Sequence, residues 1–294
     1  MVCDVGPRDG LQNEEVVLEP HVRAELVNRL GRAGLPRIEA VSFVSAARVP
    51  QMAGAEDVVA ALEHSSEVVH AGLVLNERGY ERLLASGLAE AHFTLGATDS
   101  FNRRNQNASV EESVASARRI LARARDDGCR VTMTIGVAFG CPFEGEVSPR
   151  RVLEIAGSLA EAGADEITFA DTIGVGVPAQ VRHLVGAAQG FGVPVGVHFH
   201  NTRGTGVANA YAALEAGAGI FDASVGGTGG CPFAPRATGN IATEDLVYML
   251  HGQGVATGID LGALIEVAEW LAQRLDKALP GMVYKAGGFE AVAG

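Results

Sequence analysis

Residues 130–170, RVTMTIGVAFGCPFEGEVSPRRVLEIAGSLAEAGADEITFA, hold the unit from which the rest of the chain is built. The runs 130–135 and 166–170 are short, apolar and partly β-branched, as buried parallel strands are. Residues 149–162 between them are amphipathic in the helical period. Ser148 before Pro149 reads as a cap followed by a first-turn proline, and Gly163 stands where the helix must stop. Strand, helix and strand within one such stretch make a βαβ unit.

The alternation runs from end to end. Strand-like runs occupy 2–5, 37–41, 67–75, 91–95, 130–135, 166–170, 195–200 and 219–224, and helix-like stretches occupy 20–33, 55–63, 77–85, 110–125, 149–162, 178–188 and 206–216. Gly34, Gly87 and Gly217 repeat the stop of Gly163, and residues 109–112 resemble a capping box. Eight strands alternating with helices define the α/β class and a (β/α)8 TIM barrel. The competing doubly wound open sheet lacks its GxGxxG turn after an early strand. An additional C-terminal helix, 261–275, carries Trp270 and is expected outside the barrel. Residues 1–280 thus read as one catalytic barrel, and 281–294, rich in Gly and Ala, as a mobile tail.

Composition narrows the function. The 294 residues suffice for such a barrel, and a net charge of −12 argues against a nucleic-acid surface. No window has the length and apolarity of a membrane helix, and MVCDVGPRDG lacks the regions of a secretory leader. Cys3, Cys129, Cys141 and Cys231 form no CxxC pair, which suggests a reducing, cytoplasmic setting. The 38 glycines gather in short runs between apolar segments, where ligand-approach loops need them.

In a barrel of this kind the active site lies at the C-terminal ends of the strands. The first strand ends in Gly6-Pro7-Arg8-Asp9-Gly10 and the seventh in His198-Phe199-His200-Asn201. His198 and His200 point the same way, with backbones about 7 Å apart, and can converge on one divalent cation. Asp9, separated from strand seven only by strand eight, supplies a carboxylate; the alternative is two hydrogen-bonded core histidines. Arg8 either neutralises a developing enolate or carboxylate, or makes a surface ion pair. Glu39 and Asp171 either orient Arg8 or order water there, or cap helices. Residues 102–105, with Arg103 and Arg104, are an anion site suited to phosphates or a solvated loop.

Cys231 sits in a loop with five glycines between Gly226 and Gly239, which could carry it over a substrate as a proton donor. The alternative is a small buried hydrophobe. Cys141 repeats the local Gly-Cys-Pro-Phe motif without the glycine run, so the context favours Cys231. The only lysines are Lys277 and Lys285, so no barrel strand carries the amine of a Schiff-base aldolase. Carbon–carbon bond chemistry here would need a metal to stabilise its oxyanion.

These residues have a family likeness. Val5-Gly6-Pro7-Arg8-Asp9-Gly10-Leu11-Gln12-Asn13-Glu14 resembles the first-strand signature of 3-hydroxy-3-methylglutaryl-CoA (HMG-CoA) lyases, in the DRE-TIM metallolyase superfamily. Ser42-Phe43-Val44-Ser45, Val49-Pro50-Gln51-Met52, Gly140-Cys141-Pro142-Phe143-Glu144-Gly145, Asp171-Thr172-Ile173-Gly174-Val175-Gly176, GGCPFAPRATGN at 229–240 and ATEDLVYM at 242–249 are similar too, in the family's order. The resemblance implies cleavage of HMG-CoA to acetyl-CoA and acetoacetate by a homodimer. It implies one divalent cation, Mg2+ or Mn2+, and no organic cofactor beyond the CoA of the substrate. By matching position it implies Asp9, His198, His200 and Asn240 as metal ligands, with Asp9 or His200 taking the hydroxyl proton. Arg8 would hold the thioester oxygen, and Cys231 would be the general acid. Glu39, Asp171 and Glu244 match supporting carboxylates, and Thr98 stands where the family has a serine at the substrate.

The sequence also departs from the family pattern. Asn201-Thr202-Arg203-Gly204 replaces Asp-Thr-Tyr-Gly, Pro235-Arg236 replaces a Gln-Gly-like pair, and residues 102–106 alter an Asn-Ile-Asn stretch. Arg203 and Arg236 are expected to add positive charge near the mouth, which suits a different or more acidic acyl group. The same chemistry on citramalyl-CoA or a longer-chain homologue is one alternative. A Claisen-type synthase of the superfamily is another, although those generally carry extra C-terminal regions.

Overall fold

The computed structural model describes residues 1–230 and 238–289. Eight strands, β1 (Val2–Asp4), β2 (Arg37–Ser42), β3 (Val69–Val74), β4 (Glu90–Gly96), β5 (Arg130–Gly136), β6 (Glu166–Asp171), β7 (Val195–Phe199) and β8 (Ile220–Ala223), pair in parallel and in chain order, and β8 closes on β1. The expected α/β barrel is therefore the fold. Among the described residues no helix is long and apolar enough to cross a membrane.

The local reasons are visible in the unit quoted above. Val131, Met133 and Ile135 of β5 are buried in the apolar layer beneath the helices, whereas Thr134 and Gly136 line the cavity inside the barrel. Seven helices match the expected stretches: α1 (Pro20–Arg32), α2 (Ala55–Ala60), α3 (Glu77–Ser86), α5 (Val110–Asp127), α6 (Pro149–Glu161), α7 (Pro178–Ala188) and α8 (Gly206–Glu215). α6 buries Val152, Ile155, Ala156 and Leu159, spaced three and four apart, and ends where Gly163 takes φ +99°. Ser148 makes no side-chain cap bond, contrary to expectation; Pro149 alone starts the helix, since its fixed φ suits that position and it has no N–H to satisfy. The capping box of α5 is complete, with Ser109 N–H on Glu112 Oε2 at 2.7 Å and Glu112 N–H on Ser109 Oγ at 3.1 Å.

Helices also form where the sequence pattern predicts none. α4 (Asp99–Gln106) covers the stretch read as an anion site or loop, and α9 (Thr243–Gly252) follows β8. α4 escapes detection because DSFNRRNQ is almost wholly polar; Phe101 and Asn102 are its buried residues. α10 (Leu261–Leu275) lies against α1 outside the barrel, where Arg29 and Arg274 stack on Trp270 at 4.9 and 5.3 Å. In the stretch 281–289 a short helix, α11 (Val283–Ala286), begins with N–H groups of Met282 and Val283 donated to Asp245.

The base of the barrel is charged rather than apolar. Arg37 of β2 stands 3.0 Å from Glu90 of β4 and 2.8 Å from Glu166 of β6, all three buried. Thr168 Oγ1 donates to Glu166 at 3.1 Å, and a Cβ on Gly196 would come within 2.4 Å of that hydroxyl, so β7 needs glycine there. Removing one member of a buried ion cluster leaves its partners uncompensated. Arg37→Met is expected to cost about 3 kcal/mol or more in urea unfolding; a loss below about 1 kcal/mol would show that the cluster contributes little.

Candidate active site

Arg8 and Asp9 are placed by one wide helical turn, Gly6–Gly10, in which the N–H groups of Asp9 and Gly10 both reach Val5 O. The turn is pressed against the β8 side of the barrel. A Cβ on Gly10 would meet Thr228 Oγ1 at 2.3 Å, so only glycine fits. From it Arg8 donates Nε to Glu39 Oε2 at 2.6 Å and Nη1 to Asp9 Oδ1 at 2.7 Å.

His198 and His200 close the arrangement from β7. Their ring centroids are 5.3 Å apart, and each Nε2 lies just under 4 Å from Asp9 Oδ2, at 3.8 and 3.9 Å. One ligand atom from each of Asp9, His198 and His200 falls within 4.8 Å of the others, so the three could hold a metal ion. Asn240 sits on a short bridge between the ends of β7 and β8, where Ile241 N–H donates to Phe199 O and Ser224 N–H to Ile241 O. Its Nδ2 donates to Asp9 Oδ2 at 2.9 Å and to Thr228 O at 3.0 Å. Asp222, which sequence reasoning missed, accepts from His198 Nδ1 at 3.3 Å; the two are register partners on β8 and β7. Its only sequence signal is one acid inside the apolar run 219–224.

The electrostatics suit a cation. Burial would raise the Asp9 carboxyl, but Arg8, His198 and the Asn240 amide hold it down at about 2. His200 is lowered to about 4 by burial and by the neighbouring His198, and is therefore neutral. Its Nδ1 is buried without a hydrogen-bond partner, an arrangement unlike a satisfied core histidine. His198 moves up: burial opposes its charge, but Asp222 and Asp9 favour it.

A cavity of about 1180 Å³ opens above these groups, lined by Arg8, Asp9, Glu39, His198 and His200, with Arg48 and Arg104 also on its wall. Of the other sequence candidates, Asp171, Arg203, Thr98, Arg103 and Glu244 are not on that wall. Asp171 is buried and accepts the N–H groups of Val175 and Gly176, shaping the loop after β6; burial raises its carboxyl. Arg203 folds onto the same loop, donating to Ile173 O and Gly174 O. Thr98 is buried with its hydroxyl on Cys141 Sγ at 3.1 Å. Arg103 is exposed on α4 and absent from the cavity wall, whereas Arg104 stacks on Phe143 at 4.0 Å. Glu244 starts α9 and accepts Gly226 N–H at 3.0 Å. Cys231 and Arg236 lie outside the described residues; Cys3, Cys129 and Cys141 are buried free thiols.

A family model described as HMGL-like matches residues 1–271. The chain belongs to the HMGL-like family. Within it, the chain is 48% identical to the (R)-citramalyl-CoA lyase of Chloroflexus aurantiacus over 97% of this chain and 94% of that protein. It is 41% identical to the mitochondrial hydroxymethylglutaryl-CoA lyase of Rattus norvegicus, over 97% of this chain and 88% of the relative. A solved HMG-CoA lyase from Acinetobacter baumannii, in complex with coenzyme A and 3-methylmalate, superposes with a TM-score of 0.95 at 37% identity, covering 100% of this chain and 97% of that one. This HMGL-like chain is thus a lyase whose relatives are named for more than one acyl-CoA thioester.

Glu244 provides a pH-dependent test of the site's support. Burial, with smaller contributions from Asp245 and Asp4, pushes its carboxyl up to about 8 against the Gly226 hydrogen bond. The folded chain then holds a proton that the unfolded chain releases near about 4.3, so this contribution to stability drains away as pH rises towards 8. Glu244→Gln keeps an acceptor for Gly226 and cannot ionise. It is expected to flatten the decline in unfolding free energy between about pH 5 and 8, and an unchanged slope would contradict the assignment.

Proposed function

We propose that this chain is a divalent-cation-dependent lyase that cleaves the C2–C3 bond of a 3-hydroxy-3-methyl acyl-CoA, releasing acetyl-CoA and an oxo acid. The observation that carries this reading is the convergence of Asp9, His198 and His200 beside Arg8 in a chain of the HMGL-like family. The mixed carboxylate and imidazole set suits Mg2+ or Mn2+, a neutral His200 turns Nε2 towards Asp9 with a lone pair to offer a cation, and Asp222 orients His198 as metal-binding histidines require. A divalent cation held by Asp9, His198, His200 and the amide oxygen of Asn240 would acidify a hydroxyl placed against it.

The chain's own residues do the rest. Asp9 or His200 accepts the proton of the C3 hydroxyl as that oxygen becomes the carbonyl of the departing oxo acid. The electrons of the C2–C3 bond pass to C2 and the thioester oxygen as an enolate. Arg8, held by Glu39 and Asp9, presents its remaining N–H groups to that oxygen. Cys231 then donates its thiol proton to C2, giving the acetyl group. Arg48 and Arg104 on the cavity wall are suited to the phosphates of CoA.

The thioesters for which those two relatives are named differ by one methylene. Citramalyl-CoA would give acetyl-CoA and pyruvate; HMG-CoA, the usual substrate implied by the sequence resemblance, would give acetyl-CoA and acetoacetate. The 48% identity to a citramalyl-CoA lyase, against 41% to an HMG-CoA lyase, supports our choice of citramalyl-CoA as the first substrate to try. The 3-methylmalate in the Acinetobacter complex, an isomer of citramalate, agrees with that choice.

Acetyl-CoA release from each thioester with Mg2+, with and without EDTA, tests the reading. A methylene distinguishes substrates by about 10–200-fold, so kcat/KM for citramalyl-CoA should exceed that for HMG-CoA by about tenfold or more. Turnover undiminished by EDTA would remove the cation from the mechanism, and the reverse preference would restore HMG-CoA. Cys231→Ala is expected to lower kcat about 10²–10⁴-fold with Mn2+ binding intact; an equal loss in Cys141→Ala would move the acid role. His200→Ala should weaken Mn2+ binding by calorimetry at least about tenfold, and unchanged affinity would exclude His200 as a ligand.

A further inference from the structure

Beneath Arg8 lies a buried histidine that the proposed reaction does not use. His92 of β4 bridges two carboxylates: Nδ1 is 3.2 Å from Glu39 Oε1 on β2, and Nε2 is 3.2 Å from Glu90 Oε1. Glu39 gives its other oxygen to Arg8, and Glu90 meets Arg37. From base to mouth the barrel therefore carries Glu166, Arg37, Glu90, His92, Glu39, Arg8 and Asp9, each in contact with the next and alternating in sign.

The contacts define the state of the ring. A neutral imidazole has one N–H and can donate to only one of two carboxylates, so acceptors on both nitrogens call for the imidazolium. Burial opposes that charge, yet the bonds and charges of Glu39 and Glu90 outweigh it and push the ring up to about 10. Arg8 and Asp9 beyond Glu39, and Arg37, Arg130 and Glu166 beyond Glu90, are the other charged groups around the ring.

Glu39 is fully buried and serves Arg8 through one oxygen. With His92 on the second oxygen, both oxygens of the carboxylate are held; without that ring the plane can rotate, and the guanidinium keeps only its Asp9 contact in a fixed place. We propose that His92 is a positioning residue, whose ring, held between Glu39 and Glu90, fixes the Glu39 carboxylate and through it the direction in which Arg8 meets the substrate. The proposal rests on the reading of Arg8 as the group at the thioester oxygen.

The test is a double-substitution cycle with H92Q, E39Q and H92Q/E39Q, using whichever thioester the unsubstituted enzyme cleaves. H92Q should lower kcat about 10–100-fold with KM changed less than about threefold, because misdirection impairs the reaction more than binding. On the E39Q background it should add less than about threefold, since its effect passes through Glu39. A kcat for H92Q within about twofold of the unsubstituted enzyme, or losses that multiply, would overturn the proposal. A second readout does not depend on turnover. In 15N-histidine-labelled protein at about pH 8, both ring nitrogens of His92 should carry protons, with a signal lost in H92Q and altered in E39Q. A neutral ring would overturn the clamp. If neither thioester is cleaved, the functional reading fails by itself, and the ring's protonation still decides whether the clamp exists.

Discussion

Arg8 hangs between carboxylates supplied by two parts of the barrel, Asp9 from its own turn at 2.7 Å and Glu39 from β2 at 2.6 Å. Asp9 remains an anion in a buried site largely because this guanidinium is beside it, and its negative charge is what His198, His200 and Asn240 gather around. Glu39 remains an anion for the same reason, and it links the mouth of the barrel to the ions below. Buried charges are tolerated when every one is paired, and removal of any one exposes its neighbours to the full desolvation cost. A chain of such contacts joins the mouth of the barrel to its base.

The backbone matches this demand. The turn that presents Arg8 and Asp9 packs so closely on Thr228 and Ser224 that Gly10 has no space for a side chain. On the other side, residues 239–242 are tied to the ends of β7 and β8 by Asn201 N–H on Gly239 O, Ile241 N–H on Phe199 O and Ser224 N–H on Ile241 O. This stretch is thus anchored on the ends of β7 and β8. Its anchors are continuous with the hydrogen bonds that aim the Asn240 amide at Asp9. Sites held by strands in this way keep their geometry better than sites on free loops.

The arginines show how a net charge of −12 coexists with a site suited to an anionic thioester. Arg48 and Arg104 line the cavity, whereas Arg203 is committed to backbone carbonyls of the β6 loop. Surface arginines such as Arg119 and Arg123 are paired with Glu77 and Glu81 on α3. Charge that matters for binding is therefore local, within one Debye length of the cavity.

The sequence by itself determined the barrel and the metal-type cluster. Strand and helix periods are local properties of the backbone, and they recur eight times; strand alternation puts His198 and His200 on one face, and strand order brings Asp9 within reach of both. Tertiary structure decided who else meets there. Asp222 joins His198 only because β7 and β8 pair in that register, and His92 reaches Glu39 across a strand that lies between them in the sheet. Thr98 and Asp171 stand just after strand runs in the sequence, yet their side chains turn to a neighbouring thiol and to loop backbone, and Glu244 at the start of α9 likewise meets loop backbone. A periodic pattern reports which face of its own element a residue occupies. Whether that face meets a partner 231 positions away, as Asn240 meets Asp9, depends on register and closure, which belong to the whole barrel and to no single stretch of it.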